Sequence, residues 1–326
     1  MRDAAVPSVT AVVLNFNYGR FIGECLASID AQTHDDVHVL VIDDASTDDS
    51  LAVIERWAAT TTRAHTIVAK PVNRGPAHSY NLAISEVSTD YVAVIDSDDR
   101  WLPDKVAAQI ATFDSGGLEV VVVADAAITF GDDCGVVVSA HSGFRAGPAI
   151  EWVLSSWSPH PVHAILIRGD AFRSMRPLDE TLRLCDLQMW LQLLRMGSVA
   201  SGDRVVAEYR KHGSSISGAP RLLSDQLTIV GREARTRSER AAARRRGTRV
   251  LGKLVASSAR PRARAAWSYF SRTGDARALA VWVSPAMARA VRRSAARVDR
   301  MRKAFNGGVT TLRSCRSPSS VATMRA

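Results

Sequence analysis

YVAVIDSDDRW, Tyr91–Trp101, is the stretch whose reading decides the fold. Tyr91–Ile95 is short, apolar and β-branched, the pattern of a buried strand. Three carboxylates then fall within four positions, at Asp96, Asp98 and Asp99. Like charges this close repel, and each favours protonation of its neighbour. A solvated acidic turn would tolerate the cluster, and a bound cation would give it a purpose.

Working outward, the same kind of run recurs at 10–15 (TAVVLN), 37–42 (VHVLVI), 65–70 and 119–123. Helical spacing lies between these runs. Ile22, Leu26 and Ile29 mark a helix over 20–31, and STDDS supplies an N-cap for a helix through Trp57. Pro76 suits the first position of a helix ending near Val87, and Pro103 opens another. Strands alternating with helices predict right-handed crossovers and a mostly parallel α/β sheet. Such sheets bind ligands beyond the carboxyl ends of their strands. Here those ends carry Asn15-Phe16-Asn17, Asp43-Asp44 and Asp96-Ser97-Asp98.

Residues 125–218 read as mixed: strands at Val136–Ser139, His163–Ile167 and Val205–Tyr209, and a helix at Asp186–Met196. From about Pro220 the pattern is helical and Arg-rich, with an amphipathic stretch at Ala286–Phe305 and a Ser-, Thr- and Arg-rich end that reads as disordered.

The chain has 326 residues, 46% of them apolar, enough for one large α/β domain and an extra segment. Its net charge of +9 is unevenly placed. From Arg232 onward 24 Lys and Arg stand against 4 Asp and Glu, whereas residues 1–231 carry 18 against 29. A basic end of this kind is a footprint of anionic partners, or else a solvated appendage. The cysteines, Cys25, Cys134, Cys185 and Cys315, lack C-x-x-C spacing, which argues against a zinc site or disulfide framework and fits a reducing cytoplasm. Neither a signal peptide nor an apolar run of membrane-spanning length is read. No G-x-G-x-x-G follows the first strand and no G-x-x-x-x-G-K-[ST] occurs, so a bound nucleotide would have its phosphates held by metal. Asp96 and Asp98 suit a hard divalent cation, which takes one or two carboxylates plus phosphates and waters.

Four segments in series, VVLNFNYGRFIGECLASIDAQT, VLVIDDASTDDS, NRGPAHSYNLAI and YVAVIDSDDRWLPDK, resemble the family 2 glycosyltransferases. The likeness spans about residues 8–215. It implies the GT-A fold, a mostly parallel Rossmann-like central sheet flanked by helices, over residues 1–220 (a nucleotide-sugar-binding half, 1–124, and an acceptor half, 125–220). Residues 221–326 then form the basic helical C-terminal extension. By the same resemblance, Asn15 and Phe16 match positions that contact the nucleoside, Asp43 and Asp44 the acidic pair at the base, and Arg74 the turn flanking it. Asp96 and Asp98 match the D-x-D motif, Asp96 near ribose and metal and Asp98 on a divalent cation, Mn²⁺ or Mg²⁺. His212, in YRKHGSSIS, matches a position that ligates the metal or touches the diphosphate, and Arg210 or Lys211 could pair with phosphate. DETLRLCDLQMWLQLLRMG (Asp179–Gly197) resembles the motif whose aspartate is the general base, here Asp186. Departures are Leu14 and Asn15 where proline and threonine are usual, Cys185 where a glutamate is usual, and Gln188 and Gln192 where charged residues are common.

The expectation is a metal-dependent, inverting transferase. It would move sugar from a nucleotide-diphosphate sugar, UDP-linked first, to a hydroxyl of a glycan or lipid-linked acceptor in envelope polysaccharide synthesis. The place expected for it is the cytoplasm, at the inner membrane face, with the basic extension against anionic lipid. Two alternatives stand beside it: a sugar-nucleotide-binding scaffold impaired by Cys185, and a nucleotidyltransferase of the same fold. Nucleic acid ranks below these partners, because the aromatics among the arginines do not interleave for stacking.

Overall fold

The computed structural model describes residues 6–138, 149–155, 161–213, 220–256 and 263–278. Its described strands are β1 Val9–Asn15, β2 Val37–Asp43, β3 His65–Ala69, β4 Tyr91–Asp96, β5 Arg100–Trp101, β6 Val120–Gly131, β7 Val137–Val138, β8 Ile165–Arg168 and β9 Ser198–Lys211. They form one sheet in the order β3-β2-β1-β4-β8-β6-β9-β5, with β7 on β6. β3, β2, β1 and β4 run parallel; β8 is antiparallel to β4 and β6; β6 and β9 are parallel. The expected mostly parallel first half is therefore present, and β8 turns the sheet mixed beyond β4.

Alternation along each strand divides the core. Val9, Ala11 and Val13 face α1 (Gly19–Asp30), α2 (Ser50–Ala58) and α4 (Lys105–Gly116). Val12 faces the opposite layer, built from α3 (Pro76–Glu86), α6 (Gly169–Arg173) and α7 (Cys185–Leu193). In α1, Ile22, Leu26 and Ile29 are fully buried, and each such side chain contributes ~1.5–3 kcal/mol. The expected N-cap of α2 takes a different form: Asp49 makes no side-chain cap, and Asp48 Oδ1 instead accepts from Ser50 N at 3.0 Å.

A third cluster joins α5 (Ala149–Ser155) and α7 to α8 (Pro220–Glu233), α9 (Arg237–Ala256) and α10 (Ala263–Thr273). Leu187 and Leu191 of α7 meet Leu227, Ala243, Leu251 and Tyr269 there. A Cβ on Gly247 would lie 1.9 Å from the Tyr269 hydroxyl, so this glycine lets α9 and α10 touch. Cys25 and Cys185 are buried free thiols. Among the described residues no helix is long and apolar enough to cross a membrane. The amphipathic stretch 286–305 and the chain end lie outside the described residues.

Candidate functional site

β1, β2 and β4 end side by side, Asn15 in register with Asp43 and Leu14 with Asp96. Their polar ends open into a cleft of about 810 Å³. Asn15, Phe16, Asp44, Asp96, Asp98 and Asp186 all line it, although they are scattered from position 15 to position 186. Phe16 is 43% exposed, a flat apolar face offered at the wall.

Two of the expected residues, Asp43 and Arg74, do not line the cleft. Asp43 is fully buried, accepts from Asn15 Nδ2 at 2.7 Å and from Ser46 N and Oγ at 2.8 and 2.6 Å, and does not line the cleft. It orients Asn15 and folds the turn after β2, where Ala45 takes φ 59°. Arg74 is exposed, its Nη2 2.7 Å from Glu180 Oε2. Asp44 grips the Arg74 turn from within: Arg74 N and Gly75 N donate to its two oxygens at 2.9 and 2.7 Å, and Lys70 pairs with it. Gly75 has φ 84° and ψ 170°, a region nearly confined to glycine, before Pro76 opens α3.

The aspartate cluster divides by role. Asp99 is 1% exposed; its Oδ1 accepts from Arg210 N at 2.8 Å, and its Oδ2 is 2.8 Å from His163 Nδ1. It fastens the end of β9 to β4. That brings His212 Nε2 to 2.9 Å from Asp98 Oδ2, with Tyr18 and Phe21 against the imidazole. Asp96 opens to the cleft but is ringed by protein. Desolvation first, then Asp98, Asp99 and Asp186, lifts its carboxyl well above the usual range. Asp98 is raised by desolvation and Asp99, against the pull of His212. Two neighbouring carboxyls whose charged forms are disfavoured by burial and by each other are a place where a counter-charge is stabilising.

Among the described residues no group of three His, Cys, Asp or Glu side chains is arranged to hold an ion by itself. The donor set nevertheless fits a hard cation that takes its remaining ligands from water and phosphate: carboxylate oxygens of Asp96 and Asp98 and an imidazole nitrogen of His212. Asp98 Oδ2 and His212 Nε2 lie 2.9 Å apart, close enough that both could serve one cation.

Asp186 lies in the first turn of α7, and its Oδ1 accepts from Leu187 N at 2.8 Å. Burial raises its pKa, while that hydrogen bond and the Arg246 charge act against the rise. Cys185 beside it is 4% exposed, and burial pushes its thiol up. The cleft is completed by Tyr18, Arg20, Ser79, Tyr80 and Arg183, which the sequence reading did not single out. Lys70 was missed as well, although its place directly after β3 follows the same strand-end rule as Asp43 and Asp96. Ser214 and Ser215 of the closing motif, and His160, lie outside the described residues.

Residues 10–133 match the profile of glycosyl transferase family 2. An uncharacterized glycosyltransferase of Nostoc sp. is 24% identical over 64% of this chain and 66% of its own, just under two thirds of its length. TuaG, a Bacillus subtilis glycosyltransferase named for teichuronic acid biosynthesis, is 26% identical over 70% of this chain and 88% of its own. Among solved structures, Staphylococcus aureus TarS 1–349 in complex with UDP-GlcNAc has a TM-score of 0.63 at 15% identity, over 89% of this chain and 92% of that one. The mannosyltransferase PcManGT of Pyrobaculum calidifontis, in complex with GDP-Man and Mn²⁺, has a TM-score of 0.54 at 17% identity, over 90% and 80%. At these identities the structures show a shared fold.

Proposed function

We propose that this chain, which belongs to glycosyl transferase family 2, moves a sugar from a nucleotide-diphosphate donor, UDP-linked first, to a hydroxyl acceptor with inversion. The observation that carries the reading is the single cleft that gathers Asn15, Phe16, Asp44, Asp96, Asp98 and Asp186. The nucleoside would lie on Phe16 and beside Asn15, against the turn that Asp44 holds. Asp96, Asp98 and His212 would hold Mn²⁺ or Mg²⁺, which when bound neutralises the leaving diphosphate. Asp186, at the far wall, would take the proton of the acceptor hydroxyl as its oxygen attacks the anomeric carbon. Asp43 and Arg74 would act through the loops they brace. The relatives support the donor class: TarS has been solved with UDP-GlcNAc and PcManGT with GDP-Man and Mn²⁺. TuaG, named for teichuronic acid biosynthesis, supports a glycan acceptor, and a lipid-linked one is our extension of that reading. We place the activity at the cytoplasmic membrane face, with the 24 basic residues from Arg232 onward as the attraction to anionic lipid.

Calorimetry of UDP with and without Mn²⁺ tests the donor site. Binding should require the metal and weaken at least tenfold, about 1.4 kcal/mol, in Asp98→Ala. Binding indifferent to both metal and substitution would remove Asp98 from the mechanism. A protein that binds donor but transfers to no acceptor would support the scaffold reading that Cys185 raises.

A further inference from the structure

A second cavity, of about 420 Å³, adjoins the larger cleft at Arg20. Arg20, Phe21, Asp132, Arg210, Lys211 and His212 line it, so three permanent cations face one carboxylate. Arg20 borders both this groove and the larger cleft. Like charges do not converge on a concavity without cost. Here aromatic faces hold them in place. The Arg20 and Arg210 guanidiniums each sit 4.4 Å from the Phe21 ring centre, Arg210 also lies 4.3 Å from Phe130, and Lys211 Nζ lies 3.8 Å from Tyr209. Arg210 is further committed to Glu24 at 2.8 Å and to the Asp98 carbonyl at 2.8 Å, so it is a fixed wall. Pre-placed guanidinium and ammonium groups around a polar hollow suit a phosphate-type oxyanion.

We propose that this groove binds a phosphate group carried by the acceptor, and so selects acceptors that are anionic beside the attacking hydroxyl. The assignment to an acceptor rests on the transferase reading above. The donor diphosphate belongs with Asp96 and Asp98, which line the larger cleft and not this groove, while Lys211 and Asp132 line the groove and not the cleft. The shared border at Arg20 lets a ligand seated in the groove extend into the cleft.

The test is a ³¹P NMR titration of inorganic phosphate into the full chain already saturated with UDP and Mg²⁺, with UDP affinity read by calorimetry on the same samples. Phosphate should still bind the UDP-loaded protein. Lys211→Glu should weaken that binding at least tenfold and Lys211→Arg should retain it within about threefold, with the unfolding midpoint of each variant matching the wild type; a parallel tenfold loss of UDP affinity in Lys211→Glu would give Lys211 to the donor diphosphate and overturn the proposal. Phosphate displaced by UDP would give the groove to the donor diphosphate and overturn the proposal. Equal phosphate binding in Lys211→Glu, or none in the wild type, would overturn it too. A wild type that binds no UDP would instead bring down the transferase reading, and the acceptor assignment with it.

Discussion

Asp186 shows what one residue owes to its place. As the first acidic residue of α7 it is favoured by the helix dipole, and Leu187 N already occupies one of its oxygens. Capping and proton abstraction are compatible, because a carboxylate has lone pairs to spare. Burial raises its pKa, so its ionised form is lost on acidification earlier than an exposed aspartate's would be. The acid limb of kcat should therefore fall above the ordinary carboxylate range. In Asp186→Asn, kcat should drop by ~10²–10⁴ while UDP affinity is unchanged. A pH–rate profile and calorimetry of the variant check this; retained turnover would place the base elsewhere. The departures around it now have a physical reading. Gln188 Oε1 accepts from Asp179 N at 2.9 Å, and Gln192 accepts from Arg176 N at 2.8 Å and donates to Arg176 O at 3.1 Å. Both amides brace the loop before α7: Gln192 donates and accepts there, which neither a carboxylate nor a guanidinium can do, whereas Gln188 serves only as an acceptor, from Asp179 N and from Arg232 Nη2 at 3.2 Å, as a carboxylate also could. Nothing in the sequence pattern distinguishes such a brace from a lost functional charge.

At the scale of elements, legibility follows burial. β1, β2 and β4 are buried nearly throughout, and their apolar runs mark them to within a residue. β9 extends over 198–211, yet only Val205–Tyr209 reads as strand, because most of it is half-buried and lacks alternation. β6 reaches Gly131 rather than 123, with register shifts against β9 that break the period of two. α4 hides another feature. Lys105 is 1% exposed, its Nζ donates to Gln109 Oε1 at 2.8 Å and Ile165 O at 2.9 Å, and burial lowers its pKa to about 7. The unfolded chain keeps this lysine protonated to about pH 10.4. Between these values the unfolded state binds more protons, so folding stability from this group rises with pH and is at its lowest below pH 7. Denaturant titrations of wild type and Lys105→Met should diverge over pH 7–10, the wild type gaining up to about 1.4 kcal/mol per pH unit relative to the variant. Parallel curves would mean that Lys105 stays charged in the fold.

For the whole molecule, the charge asymmetry separates the two ends on paper but not in the fold. The Arg-rich α9 buries Ala242, Ala243, Arg246, Val250, Leu251 and Leu254 along one face. Sequence composition conceals this stripe, since arginine dominates the count while alanine and leucine do the packing. Arg195, just past α7, forks onto Glu239 of α9 at 2.6 and 2.8 Å, pulling that carboxyl down to about 2. Arg183 N donates to the buried Asp225 of α8 at 3.0 Å, and Leu222 of α8 lines the cleft itself. The helices after Pro220 thus form the back of the wall that carries Asp186, whatever the remaining basic residues do at a membrane. A cavity cut into this cluster should therefore be felt at the site. Leu227 is fully buried, and Leu227→Ala should cost ~2–5 kcal/mol. Because one core joins α7 to α8, α9 and α10, unfolding should remain a single transition, with α7 and α8 amides losing exchange protection together. Were the bundle an independent appendage, Leu227→Ala would produce an early transition confined to α8–α10 while α7 kept its protection. That pattern in hydrogen exchange would separate the basic end from the wall that carries Asp186.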